Sequence, residues 1–212
     1  GWDVAGACLP AREVGGDFFD WQVDDGGHFL SLTLGDVMGK GMAAALLMAT
    51  VRAALRAAPA DPSPARRLAG VERALADDLE SSAAFVTLFH ARIDLATGEA
   101  AVADAGHGLA LVRRRDGAVG LLRVPKGLPL GVAPGGPIAD GTIVLAPGEA
   151  LVVYSDGLPD ARPDLPTDPA SLAPFLIGGA PEMVDRLVAL ADAGADRPDD
   201  LTVVALRRAD DA

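Results

Sequence analysis

Apolar and polar residues alternate along two adjacent segments, Asp17–Val23 and His28–Asp36, which flank Asp24-Asp25-Gly26-Gly27. Period-two alternation around a glycine-rich break predicts a β-hairpin. A two-residue turn at Gly26-Gly27 fixes the register. Phe19 then faces Leu34, Trp21 faces Leu32 and Val23 faces Leu30, all on one side of the ribbon. Asp17 falls opposite Asp36 on that same apolar side. Directly opposed residues have Cβ atoms about 5 Å apart, where like charges repel. Two carboxylates at the end of a core-facing stripe are costly unless something neutralises them. A shared divalent cation would do so, as would a buried shared proton or a frayed hairpin end open to water.

The same reading extends along the chain. Trp2–Leu9 is a first strand. Gly41–Ala58, rich in Ala, Leu and Met, is a helix ended by Pro59. Ser63 and Pro64 start a second helix, which runs to Ser81 with Leu68, Val71, Leu75 and Leu79 on one face. Phe85–Ile93, Ala100–Gly106, Leu109–Arg114, Val119–Val124, Ile143–Leu145, Ala150–Ser155 and Leu201–Arg207 read as strands. Lys126–Gly141 reads as irregular, Leu158–Ala170 as a Pro- and Asp-rich loop, Glu182–Asp192 as a helix and Arg208–Ala212 as a frayed tail. Strands arriving as hairpins rather than βαβ units imply an α+β fold of antiparallel sheets with helices outside, in one domain spanning residues 1–212.

Composition narrows the function. A net charge of −12 argues against nucleic acid or an anionic membrane as the main partner. It leaves room for one phosphorylated group held through metal ions, which invert the local field. Cys8 is the single cysteine, so intramolecular disulfides are excluded and a reducing, cytoplasmic setting is expected. The apolar stretch Met42–Val51 is too short to span a bilayer, and no signal peptide is evident. Trp2 so close to the start suggests a domain excised from a longer protein.

Two further aspartates repeat the pattern of the first pair. Asp156 reads as ending a strand on the face of Val152 and Tyr154, and Asp199 as beginning one on the face of Leu201 and Val203. Singly, each is a turn residue at a strand end. Together they form four oxygen donors with no His or Cys at ligand spacing, a set that selects Mg²⁺ or Mn²⁺ over Zn²⁺.

Val14-Gly15-Gly16-Asp17-Phe18-Phe19-Asp20 resembles the first signature of bacterial metal-dependent (type 2C-like, PPM) serine/threonine phosphatases, in the branch of the sporulation stage II and stress-response enzymes. Leu34 to Leu46, with Gly35-Asp36-Val37-Met38-Gly39-Lys40-Gly41 inside it, is similar to the second. Ala105-Gly106-His107, Gly127-Leu128-Pro129-Leu130-Gly131, Tyr154-Ser155-Asp156-Gly157 and Asp199-Asp200-Leu201-Thr202-Val203 follow in the family's order. The resemblance implies an antiparallel β-sandwich of two sheets flanked by helices (αββα), with two Mn²⁺ or Mg²⁺ ions. Carried over by motif, Asp36 bridges both ions, the Val37 carbonyl binds one, and Asp17 holds a metal or its waters. Asp156 and Asp199 complete the other shell, while Gly35, Gly39 and Gly41 let the backbone turn sharply nearby.

The implied activity is hydrolysis of phosphoserine or phosphothreonine by a metal-activated water. The implied substrate is a phosphorylated regulator, an anti-sigma-factor antagonist. An upstream sensor domain is expected in the longer protein, and a homodimer is an open option. One departure stands out: Met38 occupies the place where animal-type relatives carry a histidine. Lys40 is therefore the candidate for phosphate or substrate contact, against the alternative of a solvated residue starting a helix. His107 reads as a structural, hydrogen-bonded histidine, Ser155 as no triad nucleophile, and Met38, Met42 and Met48 as helix-face core. Gly39-Lys40-Gly41 lacks the Ser/Thr of a nucleotide phosphate loop, which weakens a nucleotide-switch reading. A non-catalytic, regulator-binding module of the same fold is the remaining alternative. Leu158–Ala170 could form a flap governing substrate choice, or a tolerated surface insertion.

Overall fold

The computed structural model describes residues 1–24, 26–165, 168–193 and 198–210. The chain runs β1 (Trp2–Leu9), β2 (Phe18–Val23) and β3 (Phe29–Val37), then α1 (Met42–Ala57), α2 (Pro64–Ala74) and α3 (Ala76–Ser82). β4 (Val86–Asp94), β5 (Glu99–Ala105), β6 (Ala110–Arg113), β7 (Val119–Leu121), β8 (Lys126–Gly127), β9 (Asp140–Val144) and β10 (Ala150–Tyr154) follow. α4 (Gly157–Ala161), a 3-10 helix (Pro169–Phe175), α5 (Ala180–Asp192) and β11 (Leu201–Arg208) complete the order. These elements gather into two compact units, each an antiparallel-rich sheet with its own helices.

One unit comprises Arg12–Gly108 and Arg123–Val144. Its sheet has the order β2-β3-β4-β5-β8, with β9 also paired to β5; only β5 and β8 run parallel. The hairpin register is the one the alternation predicts: Phe19 faces Leu34, Trp21 faces Leu32 and Val23 faces Leu30. Its turn differs. Asp24 N–H donates to the Phe29 carbonyl and Gly27 N–H to the Asp24 carbonyl, while the Asp24 carboxylate accepts from His28 and Phe29 N–H. The loop therefore closes at Asp24 rather than around Gly26-Gly27; Asp25 lies outside the described residues. Both loops place pairs on the same register, so the strand pattern survives the change of turn.

On one sheet face Val37, Leu88 and Ala103 pack against Val51 and Leu55 of α1 and Leu68 and Val71 of α2. The expected helix from Pro64 to Ser81 is interrupted at Leu75, whose φ of −104° and ψ of 8° end α2. Leu68, Val71, Leu75 and Leu79 are nonetheless all buried. Ser63 caps α2 by accepting from Arg66 N–H at 3.1 Å. Met38 and Met42 are exposed, at 41% and 64%, contrary to the core assignment; only Met48 packs on the core. Met38 precedes α1 in the chain, and on a helix this rich in Ala and Leu the sequence pattern does not settle whether Met42 faces inward.

The other unit comprises Gly1–Ala11, Leu109–Leu122 and Leu145–Ala212. Its sheet, β1-β11-β10-β6-β7, is wholly antiparallel. Val152, Tyr154, Leu201, Val203 and Ala205 share a core with Met183, Leu187 and Ala191 of α5. Glu182 accepts from Gly179 N–H, and Asp3 from Ala180 N–H, so the start of α5 is capped from both sides. The ends of the expected loop Leu158–Ala170 fall within α4 and the start of the 3-10 helix, while residues 162–165 are irregular as expected and Pro166 and Thr167 lie outside the described residues. Part of the expected irregular stretch Lys126–Gly141 joins the sheet as β8 and the start of β9. Among the described residues no helix is long and apolar enough to cross a membrane.

Candidate metal centre and its supporting loops

The first aspartate pair is built by strand register. Val37 N–H donates to the Gly16 carbonyl at 3.3 Å, carrying the β2–β3 ladder past Phe18–Gly35 and setting Asp17 opposite Asp36. Asp17 is buried, and its Oδ2 is sealed from solvent with no hydrogen bond among the described residues. Asp36 is half-buried and Val37 fully buried. Gly16 is required by close approach: a Cβ there would meet the Val37 carbonyl oxygen at 2.5 Å. Gly35 does not turn the chain as expected. It lies inside β3, where a Cβ would meet Leu88 and Phe18 side-chain atoms at 2.5 and 2.6 Å.

Beyond Val37 the chain turns through Gly39 (φ 108°) and Gly41 (φ 77°) into α1, with Lys40 exposed between them. Both glycines hold left-handed backbone that side chains strain to adopt. The turn thus sets Lys40 four residues past Asp36, at the entrance to the helix.

The second pair is built by loop hydrogen bonds. β10 ends at Tyr154, and Asp156 takes helical backbone (φ −64°, ψ −17°) at the start of α4. The expected alternation from Val152 and Tyr154 therefore stops short of Asp156, and those two residues line the α5-facing core. Ser155 joins the two motifs: its N–H donates to the Thr202 carbonyl at 2.9 Å. Its Oγ donates to the Asp200 carbonyl at 3.1 Å and accepts from Thr202 N–H at 2.9 Å. Gly157 lets the Asp200 backbone come close, since a Cβ there would lie 2.0 Å from the Asp200 carbonyl oxygen. The Asp200 carboxylate is engaged by Ala11 N–H at 2.8 Å, and Asp199 Oδ1 accepts from Asp200 N–H at 2.9 Å. Partial burial, then the charges of Asp199 and Asp160, raise the Asp156 carboxyl above its ordinary pKa.

The donor set fits a hard divalent cation. All four side chains are carboxylates, and a backbone carbonyl stands at Val37. The repulsion that raises Asp156 is of the kind a bound cation relieves. The residues stand as two pairs; among the described residues no three His, Cys, Asp or Glu side chains are drawn together as a ready-made cage.

Three carboxylates that sequence reasoning passed over, Asp104 and Glu72 buried and Asp140 exposed, hold the surrounding loops. Asp104 accepts from His107 and Gly108 N–H, and burial raises its pKa. His107 is half-buried beside that clamp. Glu72 on α2 accepts from Gly131 and Gly135 N–H, both at 3.1 Å, fixing the loop after Gly127-Leu128-Pro129-Leu130. Asp140 accepts from Ser63 Oγ and Ala65 N–H at the start of α2. Glu72 had a signal: it adjoins Val71 on the stripe Leu68-Val71-Leu75-Leu79, so the helical period directs it inward.

Residues 26–209 match the family model of stage II sporulation protein E (SpoIIE). The chain is 26% identical over 219 residues to phosphoserine phosphatase RsbU of Bacillus subtilis, covering 97% of this chain and 63% of that one. The solved RsbU and RsbW domains of a Mycobacterium tuberculosis protein match at a TM-score of 0.75 and 28% identity, over 100% of this chain and 61% of the other. The solved PP2C phosphatase domain of Bacillus subtilis SpoIIE, with a fragment of its regulatory domain, matches at a TM-score of 0.80 and 18% identity. That match covers 97% of this chain and 63% of the other, and it shows the fold: α+β, with two antiparallel-rich sheets and helices. The chain spans less than two thirds of each of these relatives.

Proposed function

The chain belongs to the SpoIIE family, and on that premise we propose that it is a metal-dependent protein serine/threonine phosphatase. Its proposed substrate is phosphoserine or phosphothreonine on a regulatory phosphoprotein, an anti-sigma-factor antagonist. The observation that carries this reading is the opposition of Asp17 and Asp36 at the hairpin mouth, a costly arrangement that a cation turns into a binding site. The likeness to RsbU, a phosphoserine phosphatase, supports the reaction class.

In this reading Asp36, the Val37 carbonyl and Asp17 would hold one or both of two Mn²⁺ or Mg²⁺ ions, Asp17 directly or through water. Asp156 and Asp199 would be ligands of the other ion. When bound, such ions supply a water acidified toward hydroxide and positive charge for the phosphoryl oxygens. The chain's own groups position and neutralise rather than attack. The Ser155 hydroxyl, next to Asp156 in the chain, is committed to Asp200 and Thr202 backbone. Lys40 brings an ammonium on a flexible stem, suited to meeting the incoming phosphate as a point charge. Met38 has no proton to give, so the leaving alcohol takes its proton from solvent. In the whole protein, an upstream sensor domain regulates this activity in the cytoplasm.

The test is phosphate release from a phosphoserine peptide with Mn²⁺, with Mg²⁺ and with chelator, in wild type and Asp36→Asn. Metal-dependent turnover that the substitution abolishes is expected; no metal-dependent turnover in wild type would contradict the proposal. Lys40→Ala is expected to cost about tenfold in kcat/KM, the loss of one charged hydrogen bond to phosphate. Unchanged kcat/KM would remove Lys40 from the site.

A further inference from the structure

A cleft of about 500 Å³ opens beside the β2–β3 hairpin, lined among others by Gln22, Phe29, Ser31, Arg56, Arg67 and Arg92. That volume lies in the range of small-molecule sites. Neither Asp17 nor Asp36 lines it, so it is separate from that half of the candidate metal centre.

The acids on its walls are already engaged. Asp61 accepts from the Arg66 guanidinium at 2.8 and 3.2 Å and from Ser63 N–H at 2.7 Å. Asp24 accepts from His28 and Phe29 N–H at 2.7 and 3.0 Å. Arg56 is neutralised in turn by Asp20, through two hydrogen bonds of 2.5 and 2.6 Å.

Arg67 differs from these, with no carboxylate beside it, and Arg92, although near enough to Asp24, Asp61 and Asp94 to help hold their carboxyls low, is bound to none of them. Neither forms an ion pair among the described residues. Arg67 is half-buried: its Nη2 donates to the Leu55 carbonyl at 2.8 Å, yet its Nε is sealed from solvent with no acceptor among the described residues. Behind it His90 is buried and bonded to Thr33 Oγ1, and brings no negative charge. The Arg92 guanidinium stands 3.4 Å from the centre of the Phe29 ring, a contact that holds the fork in place. Withdrawing a guanidinium from water without a counter-charge is unfavourable. It is the more notable in a chain carrying −12, where carboxylates are plentiful.

We propose that this cleft binds a small phosphate-bearing anion between Arg67 and Arg92, with Ser31 and Gln22 as further polar contacts. Guanidinium forks match phosphate oxygens in bidentate fashion, and two of them supply the charge a phosphate dianion needs. The concave wall favours a metabolite-sized ligand over a flat protein surface.

The test is a calorimetric titration of inorganic pyrophosphate into the full chain carrying Asp36→Asn, with chelator present so that metal-held phosphate cannot contribute. Saturable binding is expected, weakened at least about tenfold by Arg67→Gln and by Arg92→Gln, the loss of one charge-assisted contact. Arg115→Gln, at an exposed position outside the cleft, is expected to leave it unchanged. Circular dichroism checks that each variant is folded; should Arg67→Gln unfold, Arg92→Gln alone decides. No saturable binding in the parent, or binding that Arg92→Gln leaves intact, overturns the proposal.

Discussion

The two aspartate pairs reach their positions by different means. Asp17 and Asp36 are set by a ladder: once Phe19 faces Leu34 and Trp21 faces Leu32, the next pair along is fixed by the pleat. Asp156 and Asp199 are set by a knot of loop contacts, in which Ser155 and the Gly157 backbone meet Asp200 and Thr202. A ladder spreads its precision over many backbone bonds, so no single side chain is decisive. A knot concentrates it in a few groups, and each becomes a weak point.

The largest effects are expected at the carboxylates themselves. Asp36→Asn and Asp156→Asn should each lower metal-dependent turnover about a thousandfold, because either change removes a charged donor from the transition-state field. Equal losses would show that both pairs serve one centre; loss from one pair alone would break the comparison.

The supporting glycines come next. Gly157→Ala drives a methyl group against the Asp200 carbonyl oxygen and should cost about 1–3 kcal/mol of stability by chemical denaturation. Gly16→Ala meets a carbonyl at 2.5 Å rather than 2.0 Å and should cost less. The reverse order would mean the ladder is the more brittle of the two.

Ser155→Ala leaves Thr202 N–H buried without its acceptor, at a cost of about 1–3 kcal/mol. Its effect should fall on metal affinity as well as on melting temperature, whereas no single hydroxyl holds the first pair. A pH dependence of stability is expected from His90 on β4, slight near neutral pH and growing as the pH falls. Burial, with Arg67 nearby, lowers the His90 pKa from 6.5 to about 3. The unfolded chain therefore takes up the His90 proton first as pH falls below 6.5, and stability drops by about 1.4 kcal/mol per pH unit until the folded value is reached. His90→Gln should remove that contribution from the measured slope.

This contrast also explains what the sequence disclosed. The hairpin register was legible because alternation and pairing are periodic, and it held even though the turn closes at Asp24. Asp156 was legible only through the motif it belongs to: the strand carrying Val152 ends at Tyr154, two residues before it, and Asp156 itself takes helical backbone. The break at Leu75 left no mark, since the apolar period runs unchanged from Leu68 to Leu79. Met42 misled because α1 is apolar on more than one face, and Met38 because it lies in the turn before the helix. Asp104 and Asp140 left no mark, since neither lies on a periodic stripe that would reveal the Gly108 and Ser63 contacts; only Glu72 carried a periodic sign of burial.

The most direct test of the account is a Mn²⁺ titration by calorimetry of wild type, Asp36→Asn and Asp199→Asn. The account predicts carboxylate-dependent binding in the wild type that is weakened at least about tenfold by either substitution, one from the ladder and one from the knot. Wild-type binding that neither substitution changes, or no binding at all, would contradict it.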